Sequence, residues 1–173
     1  DCMLSAGGDK AAFEEELGRF PGLFEDEWLG RMARKLGLTT AEPDDADLIG
    51  DWLAHLQREG LDYTLSFREL AARTGAGDEP RFGEFETRWR ERLARQPDTA
   101  GEVRASMEAE NPLYIPRNHQ VERAIHAAFA GDLSAFHELR EVLGRPFHEQ
   151  PGRSGYAEPP APEERVIRTF CGT

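Results

Sequence analysis

The sequence predicts an all-α protein: an irregular multi-helix domain over residues 1–145, followed by an extended, proline-rich C-terminal arm over residues 146–173. Apolar residues recur every three or four positions in successive segments, which is the spacing of one helix face. Glycines and prolines end these segments, as they commonly end helices. No segment alternates apolar and polar residues in the manner of a half-buried strand. We therefore expect about seven helices and no sheet.

The first part of the domain carries two amphipathic segments. The residues around Phe13 to Leu17 are weakly patterned and are interrupted by Gly18 and Pro21. A clearer stripe then recurs at every fourth position and stops at Gly37; its members are Phe24, Trp28, Met32 and Leu36. Asp44 and Asp45 place negative charge where the dipole of the next helix favours it. The apolar stripe of that helix consists of Leu48, Ile49, Trp52, Leu53 and Leu56.

The middle of the domain adds three shorter helices. Thr64 is predicted to cap the first of them, which carries Phe67 and Leu70. The second follows Pro80 and presents Phe82, Phe85, Trp89 and Leu93. The third begins with a capping box, Thr99 followed by Glu102. Because Trp28, Trp52 and Trp89 all fall on apolar stripes, we interpret them as core residues.

Two more helices precede the arm. The first is expected to begin after Asn118 as its N-cap and to bury Val121, Ile125 and Phe129. Gly131 ends it, and a second helix follows with Phe136, Leu139, Val142 and Leu143. Pro146 and the proline- and glycine-rich segment after it mark the start of the arm.

The connection from Asn111 to His119 has an unusual composition for a link between two helices. Pro112 and Pro116 restrict their own φ angles and push the preceding residues toward extended geometry. The apolar residues between them favour burial against the domain. We interpret Asn111, Arg117, Asn118 and His119 as a structural latch, in which Arg117 forms an ion pair within the domain. The alternative is that Arg117, Asn118 and His119 face a ligand.

Charge and hydropathy exclude some functions. The chain has 21 Lys and Arg against 33 Asp and Glu, a formal net charge of −12. Such a surface repels phosphate backbones, so a main role in nucleic-acid binding is not expected. No apolar run reaches the ~20 residues that span a bilayer, so no membrane partner is expected and the chain should be soluble. It begins Asp1-Cys2-Met3 and lacks a leader, which suggests a piece of a longer or processed protein.

The sequence contains one candidate metal site. His119, Glu122 and His126 lie on one helix face, and two imidazoles with a carboxylate are a reasonable zinc shell. The two histidines are about 10.5 Å apart along the helix axis, which is too far to share one ion comfortably. No metal and no other cofactor are therefore expected in this segment, although a small metalloenzyme stays a minor alternative.

A set of short motifs runs in order along the chain: Trp28, Lys35-Leu36-Gly37-Leu38, Asp62-Tyr63-Thr64, Phe67-Arg68-Glu69-Leu70, Trp89, Leu93, Asn111-Pro112-x-Tyr114-Ile115-x-Arg117-Asn118-His119, Gly131-Asp132 and a cysteine third from the end. This ordered set resembles the selenoprotein O family of kinase-like proteins. The resemblance implies the C-terminal part of a protein-kinase-like fold. It also implies a parent protein that uses ATP and Mg²⁺ to transfer AMP to protein hydroxyl groups.

The resemblance places no catalytic residue in this segment. The family's nucleotide-binding lysine, its glutamate partner and its metal-binding acids lie upstream of a segment like this one. The sequence contains no glycine-rich phosphate loop, His-Arg-Asp or Asp-Phe-Gly pattern. We therefore expect the segment alone to be inactive and to have the upstream kinase-like domain as its partner. A non-enzymatic helical interaction module is the main alternative. The resemblance also implies a cytoplasmic protein if bacterial, or a mitochondrial one if eukaryotic.

Cys171 is the one functional residue that the resemblance carries over. In this family a C-terminal cysteine can form a disulfide with a cysteine of the kinase-like domain and restrain activity until it is reduced. Cys2 and Cys171 lie at opposite ends of the chain, which is not a disulfide framework and fits a reducing compartment. The ending Cys171-Gly172-Thr173 departs from the serine-rich endings of the family. An incidental exposed thiol is the alternative.

Overall fold

The computed structural model of the protein describes residues 10–166. Over this range the chain forms seven α-helices and two short 3₁₀ helices, and it contains no strand, so the all-α prediction is confirmed there. The α-helices are α1 (Lys10–Lys35), α2 (Asp45–Glu59), α3 (Tyr63–Ala72), α4 (Gly83–Leu93), α5 (Ala100–Glu110), α6 (Asn118–Phe129) and α7 (Ser134–Leu143). The 3₁₀ helices are Ser154–Tyr156 and Pro162–Glu164.

Helix α1 is longer than its sequence pattern predicts. It runs without a break through Gly18 and Pro21, although these residues were expected to interrupt it. Proline removes one backbone donor and glycine lowers helix propensity, but neither prevents the turns on both sides from forming. None of the helices among the described residues is long and apolar enough to cross a membrane.

The helix caps agree with the sequence in one case and differ in two. Thr99 and Glu102 form the expected capping box at the start of α5. Helix α3 is capped by Asp62, whose Oδ1 accepts a hydrogen bond from the Leu65 N–H at 2.8 Å, so the prediction of Thr64 was wrong. Helix α6 includes Asn118 as its first residue and has no side-chain cap. Arg117 occupies the N-cap position, so the prediction of Asn118 as the N-cap was also wrong.

The larger core lies among α1 to α5 and centres on two tryptophans. Trp52 and Trp89 are fully buried, as predicted. Phe82 and Phe67 meet the Trp52 ring edge-on, at centroid distances of 5.0 and 5.6 Å. The indole N–H of Trp89 donates to the Leu36 carbonyl at 2.8 Å, which ties α4 to the end of α1. Trp28 differs, because it is 37% exposed and does not belong to this core.

The smaller core joins α6, α7 and the segment after Pro146. Its buried residues are Tyr114, Ala124, Leu139, Val142, Tyr156 and Ala157. The predicted stripe of α6 was wrong at Ile125 and Phe129, which are 41% and 88% exposed, whereas Val121 is partly buried against this core. Helix α6 buries Gln120 and Ala124 instead, and the small side chain at position 124 suits close packing with α7. Residues 146–166 are the described part of the predicted arm, and two of them, Tyr156 and Ala157, belong to this smaller core. The domain boundary at residue 145 stays a prediction.

Candidate functional site

The connection between α5 and α6 is anchored at its first residue, Asn111, whose side chain bridges two helix ends. Asn111 is 1% exposed. Its Nδ2 donates to the carbonyl oxygens of Lys35 and Met107 at 2.9 and 2.8 Å. Its Oδ1 accepts from the Lys35 Nζ at 3.0 Å. The asparagine thus uses both its donors and its acceptor to join the end of α1 to the end of α5.

Lys35 completes this anchor from an unusual environment. Its ammonium lies 5.1 Å from the centre of the Phe67 ring and 5.7 Å from that of Tyr63, distances at which cation–π attraction operates. Burial lowers the pKa of Lys35, and the negative charge of Glu110 opposes this effect only in part. The lysine is therefore held by a polar contact on one side and by aromatic faces on the other.

A second anchor comes from Arg68 on α3. Its Nη1 donates to the carbonyl oxygens of Glu108, Asn111 and Phe147 at 3.1, 3.3 and 3.4 Å. These carbonyls belong to the end of α5, the connection and the segment after α7. One guanidinium therefore satisfies backbone acceptors from three separate parts of the chain.

The middle of the connection pairs with the segment that follows α7. The backbone N–H groups of Leu113 and Tyr114 both donate to the Pro146 carbonyl, at 2.8 and 3.1 Å. Tyr114 is 3% exposed, and its hydroxyl accepts a hydrogen bond from the Gln150 N–H at 3.2 Å. The connection and residues 146–150 consequently form one packed unit.

The last anchor is an ion pair between Arg117 and Asp62. Arg117 Nη1 donates to Asp62 Oδ2 at 2.8 Å, and Nη2 donates to Oδ1 at 3.1 Å. The Arg117 side chain is only 6% exposed, while that of Asp62 is 25% exposed. Burial alone would raise the pKa of Asp62, but hydrogen bonds from Arg117 and from the Leu65 N–H outweigh burial and lower it. Asp62 therefore stays ionised while it serves both Arg117 and the start of α3.

Asn118 and His119, the other two residues of the predicted latch, do not form any of the contacts described above. Asn118 is exposed, and His119 is half-buried with its Nε2 3.0 Å from the Gln120 Nε2. His119, Glu122 and His126 do line one cavity. However, the described residues contain no group of three His, Cys, Asp or Glu side chains placed to hold a metal ion. The zinc alternative therefore gains no support from the described part of the chain.

The contacts of this site are structural, because they connect helix ends to one another and to the connection between α5 and α6. Its charged side chains, half-buried Lys35 and Asp62 and buried Arg117, each form a hydrogen bond with another residue of the site. Sequence reasoning identified Asn111 and Arg117 but missed their partners Lys35, Asp62 and Arg68. A carboxylate directly before a helix is a capping signal that could have identified Asp62. Cys2 and Cys171 lie outside the described residues.

Over residues 10–166 the chain is a helical protein with two hydrophobic cores, and a proline-stiffened connection runs between helices of the two cores. Comparison with known proteins shows which family the chain belongs to. The family model described as protein adenylyltransferase SelO matches residues 2–143. The chain belongs to this family, which confirms the resemblance seen in the sequence.

Curated relatives carry the name protein nucleotidyltransferase YdiU. The chain is 46% identical to the one from Rhizobium johnstonii, with 87% of the chain and 32% of that protein covered. It is 43% identical to the one from Rhodopseudomonas palustris, covering 99% of the chain and 38% of that protein. For Bradyrhizobium diazoefficiens the identity is 41%, over 100% of the chain and 38% of the relative. The chain thus spans about a third of the length of the curated relatives it matches.

Proposed function

We propose that this chain is the C-terminal helical portion of a protein adenylyltransferase that transfers AMP from ATP to Ser, Thr or Tyr hydroxyls of other proteins. The observation that supports this most directly is the match of residues 2–143 to the adenylyltransferase family. ATP and Mg²⁺ would be bound by the kinase-like domain upstream, because this sequence lacks the motifs that bind them. The latched connection would give that domain a rigid support.

Helix α1 offers the surface through which the upstream domain would dock. All residues from 10 to 28 are exposed, so the first part of the helix projects from the larger core. An apolar stripe runs along it at i, i+4, i+7, i+11 and i+15, and we call it the α1 stripe: Phe13, Leu17, Phe20, Phe24 and Trp28. The Phe20 and Phe24 rings stack with their centroids 6.0 Å apart.

Such a stripe needs a neighbour. Isolated helices are marginal in water, and most helix stability in proteins comes from packing of an apolar face. An exposed row of large apolar side chains is typical of an interaction surface. The relatives are about three times as long as this chain. In a parent protein of that length, the remaining two thirds would contain a domain that can cover this stripe. We therefore assign the α1 stripe to the kinase-like domain of the same polypeptide.

The C-terminal thiol supplies the proposed regulation. Cys171 and a cysteine of the kinase-like domain would form a disulfide by exchange with a small disulfide such as oxidised glutathione. Two thiols lose two protons and two electrons, and the small disulfide gains them as two thiols. A dithiol reductant would reverse the step and restore activity. Family membership and the position of Cys171 support this proposal.

The activity is tested by supplying Mg²⁺ and ATP radiolabelled at the α-phosphate to the parent protein. AMP transfer leaves the label on protein, whereas ATP labelled at the γ-phosphate leaves none. Labelling from the γ-phosphate alone, or no labelling from either, would overturn the assignment. The 173-residue chain tested alone should label nothing in either reaction.

The docking of α1 is tested with Phe20→Ser in the parent protein. Phe20 is 62% exposed here, so its replacement should leave this segment folded but weaken the contact with the upstream domain. Phe129→Ser is the matched control, because it removes an even more exposed phenylalanine from another helix. Lower thermal stability of the parent protein with Phe20→Ser, and not with Phe129→Ser, supports the proposal. Equal effects contradict it.

The redox role is tested with Cys171→Ala in the parent protein. Oxidised glutathione should lower AMP transfer by the unmodified protein, and the variant should keep full activity. Cys2→Ser is the control, and it should behave like the unmodified protein. If Cys171→Ala remains sensitive to oxidation, the regulatory thiol lies elsewhere.

A further inference from the structure

The α1 stripe has carboxylates along one of its long edges. Glu14 precedes Leu17 by three positions, and Glu25 precedes Trp28 by three positions. Residues three apart are neighbours on a helix surface, so both glutamates lie beside the stripe and on the same side of it. Both are exposed, and about three helical turns separate them.

The opposite edge of the α1 stripe carries a second pair of carboxylates. Glu16 follows Phe13 by three positions, and Glu27 follows Phe24 by three positions. On a helix, residues three positions before and three positions after a given residue lie on opposite sides of it. Leu23, which is 56% exposed, lies on this second edge seven positions after Glu16. The stripe is therefore bordered by negative charge on both sides.

The charge around the α1 stripe is almost entirely of one sign. Between Phe13 and Trp28 the chain has six acidic side chains and one basic side chain, Arg19. Two of the acidic residues, Glu15 and Asp26, do not border the stripe, because Asp26 is two positions from Trp28 and residues two apart do not face each other. The other four form the two edges.

Ion pairs within α1 do not hold the edge carboxylates firmly. Three of the four edge glutamates form such pairs, in which every side chain is at least 61% exposed: Glu14 with Lys10, Glu16 with Arg19 and Glu27 with Arg31. Exposed pairs are weak and are screened by salt, so cations of a partner can replace them.

This charge pattern distinguishes between two occupants of the α1 stripe. A second copy of α1 would place glutamates against glutamates in either orientation, because both edges are acidic, and like charges brought together are unfavourable. A different surface with basic side chains would be attracted instead. The remaining two thirds of a parent protein as long as the relatives would provide a surface of another sequence.

We propose that the stripe fills an apolar groove of the upstream kinase-like domain, and that Lys or Arg side chains line both rims of this groove. The proposal rests on the docking of α1 described under the proposed function and adds the chemistry of the partner surface. From Phe13 to Trp28 the stripe rises about 22 Å, which sets the length of the groove. Amphipathic helices bind grooves in this manner, with the apolar face inward. The apolar floor supplies the contact, and the basic rims exclude a second copy of α1.

Amide hydrogen exchange of residues 10–28 in the parent protein tests the rims. All of these residues are exposed here, and a helix without packing is marginal, so lasting protection of their amides reports docking. Glu25→Lys should lower this protection by about threefold or more at low salt, because an attraction at the rim becomes a repulsion.

Asp26→Lys is the matched control for Glu25→Lys. It introduces the same side chain one position along the helix, away from the stripe. Neither residue has a charged side chain three or four positions away, so neither variant disturbs an ion pair of that spacing within α1. The control should leave the protection within about twofold of the unmodified protein, since surface changes away from a contact have small effects.

Salt separates the charged edges from the apolar stripe. At about 1 M NaCl the Debye length falls to about 3 Å, so the effect of Glu25→Lys should largely disappear. Phe20→Ser should lower the protection at both salt concentrations, because the hydrophobic effect does not depend on charge.

The outcomes distinguish the basic rims from the docking itself. If Phe20→Ser lowers the protection but Glu25→Lys and Asp26→Lys act alike, the basic rims are overturned and the docking of α1 stands. If Phe20→Ser also has no effect, the docking and the rims both fail. If Phe20→Ser lowers the molecular mass of the parent protein in solution, the stripe meets a second copy, and this result overturns the proposed groove.

Discussion

Arg117 and Asp62 are 55 residues apart in the chain, and they form a bidentate ion pair with N···O distances of 2.8 and 3.1 Å. The same carboxylate accepts the Leu65 N–H and caps α3. Since Arg117 immediately precedes α6, this pair links the start of α3 to the start of α6. It thereby connects a helix of the larger core to a helix of the smaller core.

Arg117→Ala should lower the free energy of unfolding by about 2 to 3 kcal/mol. Removing one partner of a buried pair leaves an uncompensated charge, although the partial exposure of Asp62 keeps the loss below that of a fully buried pair. Urea unfolding of the 173-residue chain measures it. Arg104→Ala, which breaks an exposed pair with Glu108 within α5, should change the same quantity by about 0.5 kcal/mol or less. Similar losses in the two variants would contradict the assigned role of Arg117.

Asn111→Ala should cost about 1 to 3 kcal/mol of unfolding free energy. It removes the donors that satisfy the carbonyls of Lys35 and Met107, and buried acceptors without partners are unfavourable. Asn118→Ala is the matched control from the same connection, because Asn118 is exposed and should tolerate the change within about 0.5 kcal/mol. Chemical denaturation compares the two. The latch would need revision if Asn118 proved the more sensitive position.

Gly37→Ala should be more destabilising than Gly60→Ala. Both glycines have positive φ, of 75° and 63°, so both substitutions carry the backbone penalty of roughly 1 to 2 kcal/mol for a left-handed residue. A Cβ at position 37 would lie only 2.6 Å from Val103 Cγ1 and 2.9 Å from Met107 Cγ, whereas one at position 60 meets nothing within 4 Å. The difference between the two thermal midpoints measures the cost of this clash. Equal midpoints would show that α5 shifts without cost.

Glu86→Gln should flatten the dependence of stability on acidic pH. The Glu86 side chain is fully buried and contacts Arg73 and Arg90. Burial alone would raise the pKa of Glu86, but the Phe82 N–H and the two arginines lower it below the ordinary value of 4.5. The folded state therefore binds this proton more weakly than the unfolded state. The stabilisation is complete above pH 4.5 and is lost as the pH falls through the lower folded-state pKa.

Urea unfolding at a series of pH values measures this slope. Glu91→Gln removes the same charge from an exposed position on α4 and is the control for net charge. The wild-type chain should lose more stability between pH 5 and pH 3 than Glu86→Gln does. If the two slopes are the same, Glu86 does not contribute to acid unfolding.

Sequence patterns predicted correctly the features that depend on contacts within a single helix. The capping box at Thr99 and Glu102 follows from spacing alone, and the structure has it. Trp52 and Trp89 are buried, as their apolar stripes predicted. Trp28 lies on an equally regular stripe but is 37% exposed. Periodicity shows that a helix has an apolar face; it does not show whether that face packs within the same chain.

The choice of buried face on α6 illustrates the same limit. Ile125 and Phe129 are large apolar residues, yet α6 exposes both of them and buries Gln120 and Ala124. Arg117 binds Asp62 at the start of the helix, and Ala124 belongs to the core that α6 shares with α7. The apolar pattern of one helix does not indicate how close α3 and α6 lie in the folded protein. The sequence therefore could not show which face of α6 is buried.

The sequence by itself determined the all-α class and the family, because these depend on spacing and on short ordered motifs. Only the tertiary structure decided the partners of the latch: Lys35 for Asn111, Asp62 for Arg117, and Arg68 for three backbone carbonyls. Each of these contacts joins residues that are far apart in the chain. Buried polar groups must find partners wherever packing places them, and that placement is a property of the whole fold.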